Sequence, residues 1–239
     1  MSESEALENP YKAAIKDILP LILGLIPFGL VTGVRAVEIG FSAIESGLLS
    51  VFVFAGAAQL AMLELFNAHA PWFVVIGTAL VINLRMMMYS ASIGQIFSTL
   101  SKKRRWLMSY VLTDQAFALS VFRQSRGFSG PMLQKYYLTV AFSLWGLWLA
   151  VTVIGALIGA VIPASWGLDF AVPLTFLALL IPGLRTSPQV FTALVAATFT
   201  LGLSPILPMK TGLLVGILAG IAAGMWSSSR VPVSEKEAS

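Results

Sequence analysis

Long apolar stretches dominate this chain and leave few folds open to it. Hydrophobic residues occupy 57% of its 239 positions and charged residues only 11%, which is outside the range of soluble globular domains. A helix of about 20 apolar residues spans the hydrocarbon core of a bilayer. The sequence therefore predicts an all-α integral membrane helix bundle with about seven or eight hydrophobic segments, near 18–34, 43–66, 72–97, 106–123, 136–162, 169–184, 188–204 and 210–227.

Polar stretches at both ends define the predicted domains. Residues 1–17 contain acidic residues as well as lysines, unlike the basic start of a signal peptide, and are predicted to be a cytoplasmic tail that is not cleaved. Residues 18–227 are predicted to form a single transmembrane transport domain, and residues 228–239 a polar C-terminal tail.

Composition and missing motifs argue against several other functions. The formal charge of +4 comes from basic residues at the ends of apolar segments, as in membrane proteins, so we expect no nucleic-acid partner. The sequence has no cysteine, no Gly-Lys dipeptide for a Walker A loop and no HExxH metal motif. We expect no enzyme activity, no cofactor and no metal site, and we interpret the single histidine, His69, as a surface loop residue.

Two apolar segments contain residues that interrupt a helix. The first includes Pro27 and Gly29 among several prolines and glycines, and the fourth carries Thr113 and Asp114 near its middle. Broken backbone at membrane depth is tolerated only where protein or a watery cavity covers the freed groups. Both segments are therefore predicted to be broken or re-entrant.

The basic residues leave two topologies open. If the first and fourth segments dip in and return, most of them share the cytoplasmic side, as the positive-inside rule favours, and only Lys210 is left outside. The alternative is a plain bundle of seven or eight full crossings with some violations of the rule. The residues that the first topology makes cytoplasmic are Lys12, Lys16, Arg35, the 102–105 run, Arg123, Arg126, Lys135, Arg185, Arg230 and Lys236.

Three polar residues, Gln59, Arg85 and Asp114, fall inside apolar segments. Ionisable groups at membrane depth are costly, and they usually line a pathway for substrate or ions. Helical spacing places Arg85 on one polar stripe of the third segment, together with Thr78, Tyr89 and Ser92.

The charge of Arg85 has two interpretations. In the first, Arg85 and Asp114 pair permanently and lock two helices together. In the second, Arg85 or a half-helix N-terminus holds a substrate carboxylate, while Asp114 or unwound carbonyls hold an ammonium group or a coupling proton. Gln59 likewise either contacts substrate or hydrogen-bonds across a contact between small residues.

Glycines repeat every four residues along the last segment, a spacing that produces a close helix-packing face. This face is predicted to bind another helix of the chain or a partner subunit through Gly212, Gly216, Gly220 and Gly224.

Several short motifs together resemble one membrane protein family. They are Ile26-Pro27-Phe28-Gly29, Phe54-Ala55-Gly56-Ala57-Ala58-Gln59, Asn83-Leu84-Arg85 with Tyr89, and Thr113-Asp114-Gln115-Ala116-Phe117. In this order they resemble the AzlC family, the large subunits of bacterial branched-chain amino-acid exporters. The resemblance implies a multi-pass protein of the bacterial inner membrane that works with a small hydrophobic AzlD-type subunit and exports valine, leucine, isoleucine and sometimes methionine.

Burial cost and motif position give the predicted substrate site. Its polar residues are Gln59, Asn83, Arg85, Tyr89 and Asp114, and the apolar residues expected to receive the substrate tail are Phe54, Met88 and Phe117. Relatives often carry histidine after the motif arginine and glutamate after the motif aspartate, where this chain has Met86 and Gln115, so Asp114 is the main candidate for proton coupling. A structural subunit without its own solute pathway, or a transporter of another small solute, are the alternatives.

Overall fold

The computed structural model describes residues 9–98, 100–161, 186–207 and 211–229, and the single positions 177, 181 and 184. The regular elements within these residues are all helices, so the predicted fold class is confirmed. Contacts group the chain into two compact units, one of Met1–Gln59 and Asn83–Trp166, the other of Leu60–Ile82 and Gly167–Ser239. The helices are α1 Pro10–Glu38, α2 Ala43–Phe52, α3 Gly56–Asn67, α4 Trp72–Ile82, α5 Leu84–Ile96, α6 Lys102–Tyr110, α7 Asp114–Ser125, α8 Gly130–Gly159, α9 Ser187–Leu203 and α10 Gly212–Ser228.

Several of the predicted apolar segments are split into two helices. The breaks lie at residues 53–55, at Asn83 and at residues 111–113, and the last of these is in the fourth segment, as predicted. By contrast, α1 and α8 run unbroken for 29 and 30 residues. Both are long and apolar enough to cross a membrane, as is the stretch Trp72–Ile96 when α4 and α5 are taken as one helix interrupted only at Asn83. The predicted segment 169–184 lies outside the described residues, apart from three single positions.

The prediction that Pro27 and Gly29 break the first segment is wrong, because α1 continues through Pro20 and Pro27. Each proline removes only one backbone hydrogen bond, and a neighbouring helix supports the turns around it. Gly29 serves packing instead, since a Cβ atom at this position would overlap the side chain of Val151 in α8. The first segment therefore does not dip in and return.

Helices α1 and α8 lie side by side in parallel, with their backbones in close contact. A Cβ atom at Gly33 would come within 2.6 Å of the Ala156 nitrogen, and one at Gly159 within 2.9 Å of the Val34 Cα. In a membrane, helices associate through such close packing of small residues, because lipid tails are as apolar as the side chains. This pair of helices forms the frame of the first unit.

Helix α6 runs inward along α8. The Tyr137 hydroxyl, near the start of α8, donates a hydrogen bond to the Met108 carbonyl. Two residues later along α6, the Tyr110 ring lies 6.4 Å from the ring of Trp145, about two turns further along α8.

Helix α7 then returns to the end of α8 where α6 began. Its Arg123 donates to both carboxylate oxygens of Asp17 in α1, at 2.7 and 2.9 Å, and the Tyr136 hydroxyl donates to the same carboxylate at 2.6 Å. This three-residue cluster ties the end of α7 to the N-terminal parts of α1 and α8. Helices α6 and α7 therefore form a hairpin that enters and leaves at one end of the unit.

The hairpin places the basic run at residues 102–105 at the same end as Arg123. The positive-inside rule predicts that this end faces the cytoplasm. The expectation that Arg35 shares a side with Arg123 is wrong, because Arg35 lies 18 residues beyond Asp17 on the unbroken α1, where it pairs with Glu38 at 3.1 Å. Four other basic residues of the topology prediction lie outside the described residues, namely Arg185, Lys210, Arg230 and Lys236.

In the second unit, the glycine face of α10 packs against α9. A Cβ atom at Gly216 would overlap Thr200, and one at Gly220 would lie 2.8 Å from the Ala196 Cβ. Gly212 and Gly224 approach Ser204 and Thr192 in the same way. The four glycines thus bind a helix of the same chain.

The hairpin makes a prediction about topology. Reporters of membrane side inserted between residues 101 and 102 and after Arg126 should both report the cytoplasm, whereas one inserted at Gly40, after α1, should report the opposite side. Opposite results for the first two positions would contradict the hairpin.

The close contact of α1 with α8 predicts different effects for two glycines of the same helix. Gly33→Ala should lower the melting temperature of the detergent-solubilised protein by on the order of 5 °C, since the added methyl group overlaps the Thr152 carbonyl. Gly24→Ala is the matched control, because a Cβ atom there meets no atom within 4 Å. Equal melting temperatures for the two variants would contradict the close contact.

Candidate functional site

Two short helices begin at a similar depth inside the first unit. Thr113 caps α7, and its hydroxyl oxygen accepts a hydrogen bond from the Ala116 N–H at 3.1 Å. Asn83 holds the corresponding position before α5, but its side chain makes no capping hydrogen bond. The first N–H groups of α5 consequently lack a side-chain cap from Asn83.

An ion pair joins the starts of these two helices. A terminal guanidinium nitrogen of Arg85 lies 3.1 Å from Oδ2 of Asp114. One turn further along, the rings of Tyr89 and Phe117 stack with centroids 4.5 Å apart. Because the contacts advance together along both helices, α5 and α7 run in parallel, and both helix N-termini lie beside the ion pair.

The pair lies well inside the unit. Arg123, in α7, is fixed beside Tyr136 near the start of α8. Asp114 precedes Arg123 by nine residues on α7. At 1.5 Å per residue, Asp114 lies about 14 Å deeper than Arg123. This depth corresponds to the middle of α8.

Several polar atoms around the pair have unused hydrogen-bonding capacity. Nε of Arg85, Oδ1 of Asp114 and Oδ1 of Asn83 are buried and have no hydrogen-bond partner among the described residues. Buried polar atoms are nearly always hydrogen-bonded in native proteins, so these three atoms have capacity to hydrogen-bond water or a bound ligand. The remaining side-chain surface is partly open, with 40% of Arg85 and 35% of Asp114 exposed.

The structure places Gln59 in a different hydrogen-bond network. Its amide donates to the Ser50 hydroxyl at 3.0 Å and accepts from Trp148 Nε1 at 3.2 Å, and the side chain is fully buried. Gly56 lets α3 begin close to the Trp148 ring. This arrangement agrees with the packing interpretation of Gln59, which makes no hydrogen bond to Arg85 or Asp114 within the described contacts.

The structure places the apolar residues that were predicted to receive the substrate tail in different surroundings. Phe117 reaches the site through its stack with Tyr89. Met88 is 70% exposed, and the described contacts do not join it to Arg85 or Asp114. Phe54 lies in the non-helical residues 53–55 before α3 and is partly exposed.

Two parts of the structure were not predicted from the sequence. One is Trp148 as the partner of Gln59, and the other is the cluster of Asp17, Arg123 and Tyr136. Asp17 stands out in the sequence as an acidic residue at the start of an apolar segment. Its partners are more than 100 residues away in sequence, so the sequence did not identify them.

The AzlC protein family model matches residues 20–162, which include every residue of the ion-pair site. This chain belongs to the AzlC family. Its relatives include the inner membrane protein YgaZ of Escherichia coli, 27% identical over 90% of this chain and 91% of YgaZ. An uncharacterized membrane protein of Archaeoglobus fulgidus is 27% identical over 87% of this chain and 90% of its own length.

A third relative carries a functional name. The branched-chain amino acid transport protein AzlC of Bacillus subtilis is 23% identical over 81% of this chain and 76% of its own length. No solved structure matches the chain. The protein is thus a multi-pass inner membrane protein of a transport-related family.

Proposed function

We propose that this chain is the large subunit of a secondary transporter that exports branched-chain amino acids, namely valine, leucine and isoleucine, and also methionine. The observation that carries the proposal is the partly exposed ion pair of Arg85 and Asp114, which lies deep in the unit at the starts of two parallel helices. The name of the Bacillus subtilis relative supports the substrate class.

The two charges suit the two ends of a zwitterionic amino acid. Arg85 offers its unpartnered Nε together with a terminal nitrogen, a fork that matches a carboxylate, and the N-terminus of α5 adds N–H donors of favourable polarity. Oδ1 of Asp114 offers an acceptor to an ammonium group. Substrate binding then replaces the single contact between Arg85 and Asp114 with contacts to both ends of the substrate.

The apolar side chain of the substrate would lie against the stacked rings of Tyr89 and Phe117. A hydrophobic surface discriminates weakly between side chains that differ by one methylene group, by about 1–3 kcal/mol. Transport of several branched side chains, and of methionine, is the expected result.

Alternating access would move the half-helices α5 and α7 relative to the frame of α1 and α8. Broken helices that meet at the membrane midplane are the usual location of substrate and ion sites in secondary transporters. Asp114 would carry the coupling proton, because its protonation removes the attraction to Arg85 and frees that group for a carboxylate. A small hydrophobic AzlD-type subunit is the proposed partner.

The alternative is a structural subunit in which Arg85 and Asp114 form a permanent lock. The partial exposure of both side chains favours a binding role instead, because it leaves space beside the pair for a ligand. Transport of another small solute with a carboxylate and an ammonium group is consistent with the same site.

Arg85→Lys tests both the function and the site. In cells loaded with isoleucine-containing dipeptides, wild-type protein with its small partner should accelerate isoleucine efflux over cells lacking both. Arg85→Lys should lower that efflux about tenfold or more, since an ammonium cannot reproduce the fork of donors. The membrane-inserted amount and melting temperature should stay near wild type. Normal efflux would contradict carboxylate binding, and loss of assembly would favour the structural alternative.

Asp114→Asn tests proton coupling. The amide cannot release or take up a proton, so any residual export by this variant should no longer respond to the proton gradient. The measurement is efflux from reconstituted vesicles with and without an imposed pH difference, with wild type measured in parallel. A response to the gradient equal to that of wild type would exclude Asp114 from the coupling role.

A further inference from the structure

A cavity of about 550 Å³ lies between α5 and α6, separate from the ion-pair site. On α5 its lining residues follow helical spacing, and so do most of those on α6, so one face of each helix forms a wall. The cavity begins at the end of the unit where the basic run lies. Its lining residues are Ser90, Ile93, Gly94, Phe97, Lys102, Arg105, Trp106, Met108 and Ser109.

The cavity has a positively charged rim and an apolar interior. Lys102 and Arg105 line it, and none of the described residues that line it is acidic. Buried Ile93 and Phe97 supply apolar walls. A ligand that suits this surface carries a negative group at the rim and hydrocarbon below it.

The location indicates where such a ligand comes from. Lys102 and Arg105 belong to the basic run at residues 102–105 on the cytoplasmic end, and Trp106, directly after the run, is 79% exposed. Tryptophan favours the membrane–water interface, and basic pockets between membrane helices on the cytoplasmic side suit anionic lipid headgroups.

We propose that this cavity binds the phosphodiester headgroup of an anionic phospholipid, such as phosphatidylglycerol or cardiolipin. The Arg105 guanidinium can bind phosphate oxygens with two parallel N–H donors, and Lys102 adds a compact second charge. Phe97 and Trp106 contact the upper methylene groups of the acyl chains. The lipid is therefore held at the start of the helical hairpin of α6 and α7.

The basic run supplies a matched control for the test. Two double variants each remove two positive charges from the run at residues 102–105: Lys102→Gln/Arg105→Gln and Lys103→Gln/Arg104→Gln. Only Lys102 and Arg105 line the cavity. Binding of phosphatidylglycerol, cardiolipin and phosphatidylcholine to the purified full-length protein is measured by native mass spectrometry. The first variant should bind the two anionic lipids on the order of tenfold more weakly, and the second should remain close to wild type.

A third variant removes the cavity without changing its charge. Gly94 lines the cavity, and a Cβ atom there meets nothing within 4 Å, so Gly94→Leu should fill the space and weaken anionic lipid binding as well. If Lys102→Gln/Arg105→Gln fails to fold, Gly94→Leu tests whether the lipid binds in the cavity.

Three outcomes would overturn the proposal. Equal losses in the two charge variants would indicate diffuse attraction to the basic run, and equal binding of phosphatidylcholine would show that the negative charge is not recognised. Displacement of the lipid by millimolar inorganic phosphate would indicate a site for free anions. Because no transport is measured, these outcomes leave the proposed export function untouched.

Discussion

The backbone contact between α1 and α8 determines where the other parts of the first unit lie. Glycines at Gly33 and Gly159 allow the two helices to touch, and the parallel arrangement brings Asp17 of α1 beside Tyr136 of α8. These two residues receive Arg123 and so fix the returning end of α7. The depth of Asp114 follows from that anchor, because a helix of fixed rise connects the two residues.

A helix that starts inside a membrane is energetically costly, but its start can bind a polar ligand. Its first N–H groups lack partners within the helix, and a nearby charge must be satisfied in a medium of low polarity. In this structure the starts of α5 and α7 meet at an arginine and an aspartate whose charged atoms lie 3.1 Å apart. A ligand with one carboxylate and one ammonium group can satisfy both charges, and this links the broken helices to the proposed transport of amino acids.

The sequence predicted much of this arrangement, and the exceptions have physical reasons. Arg85, Asp114 and the break before α7 were recognisable because charges and turn residues are rare in apolar segments. The break at Pro27 was wrong, because a proline removes one hydrogen bond, and packing against α8 supports the rest. Gln59 and Met88 depend on which way a side chain faces in the packed bundle, and composition does not contain that information.

The measurement that tests the proposed site most directly is competition for the binding of labelled isoleucine to the purified protein with its small partner. The competitors are unlabelled isoleucine, isoleucinol, which lacks the carboxylate, and N-acetyl-isoleucine, which lacks the ammonium group. Recognition of both ends by Arg85 and Asp114 predicts that each analogue competes at least about tenfold more weakly than isoleucine. Equal competition by all three compounds would contradict it.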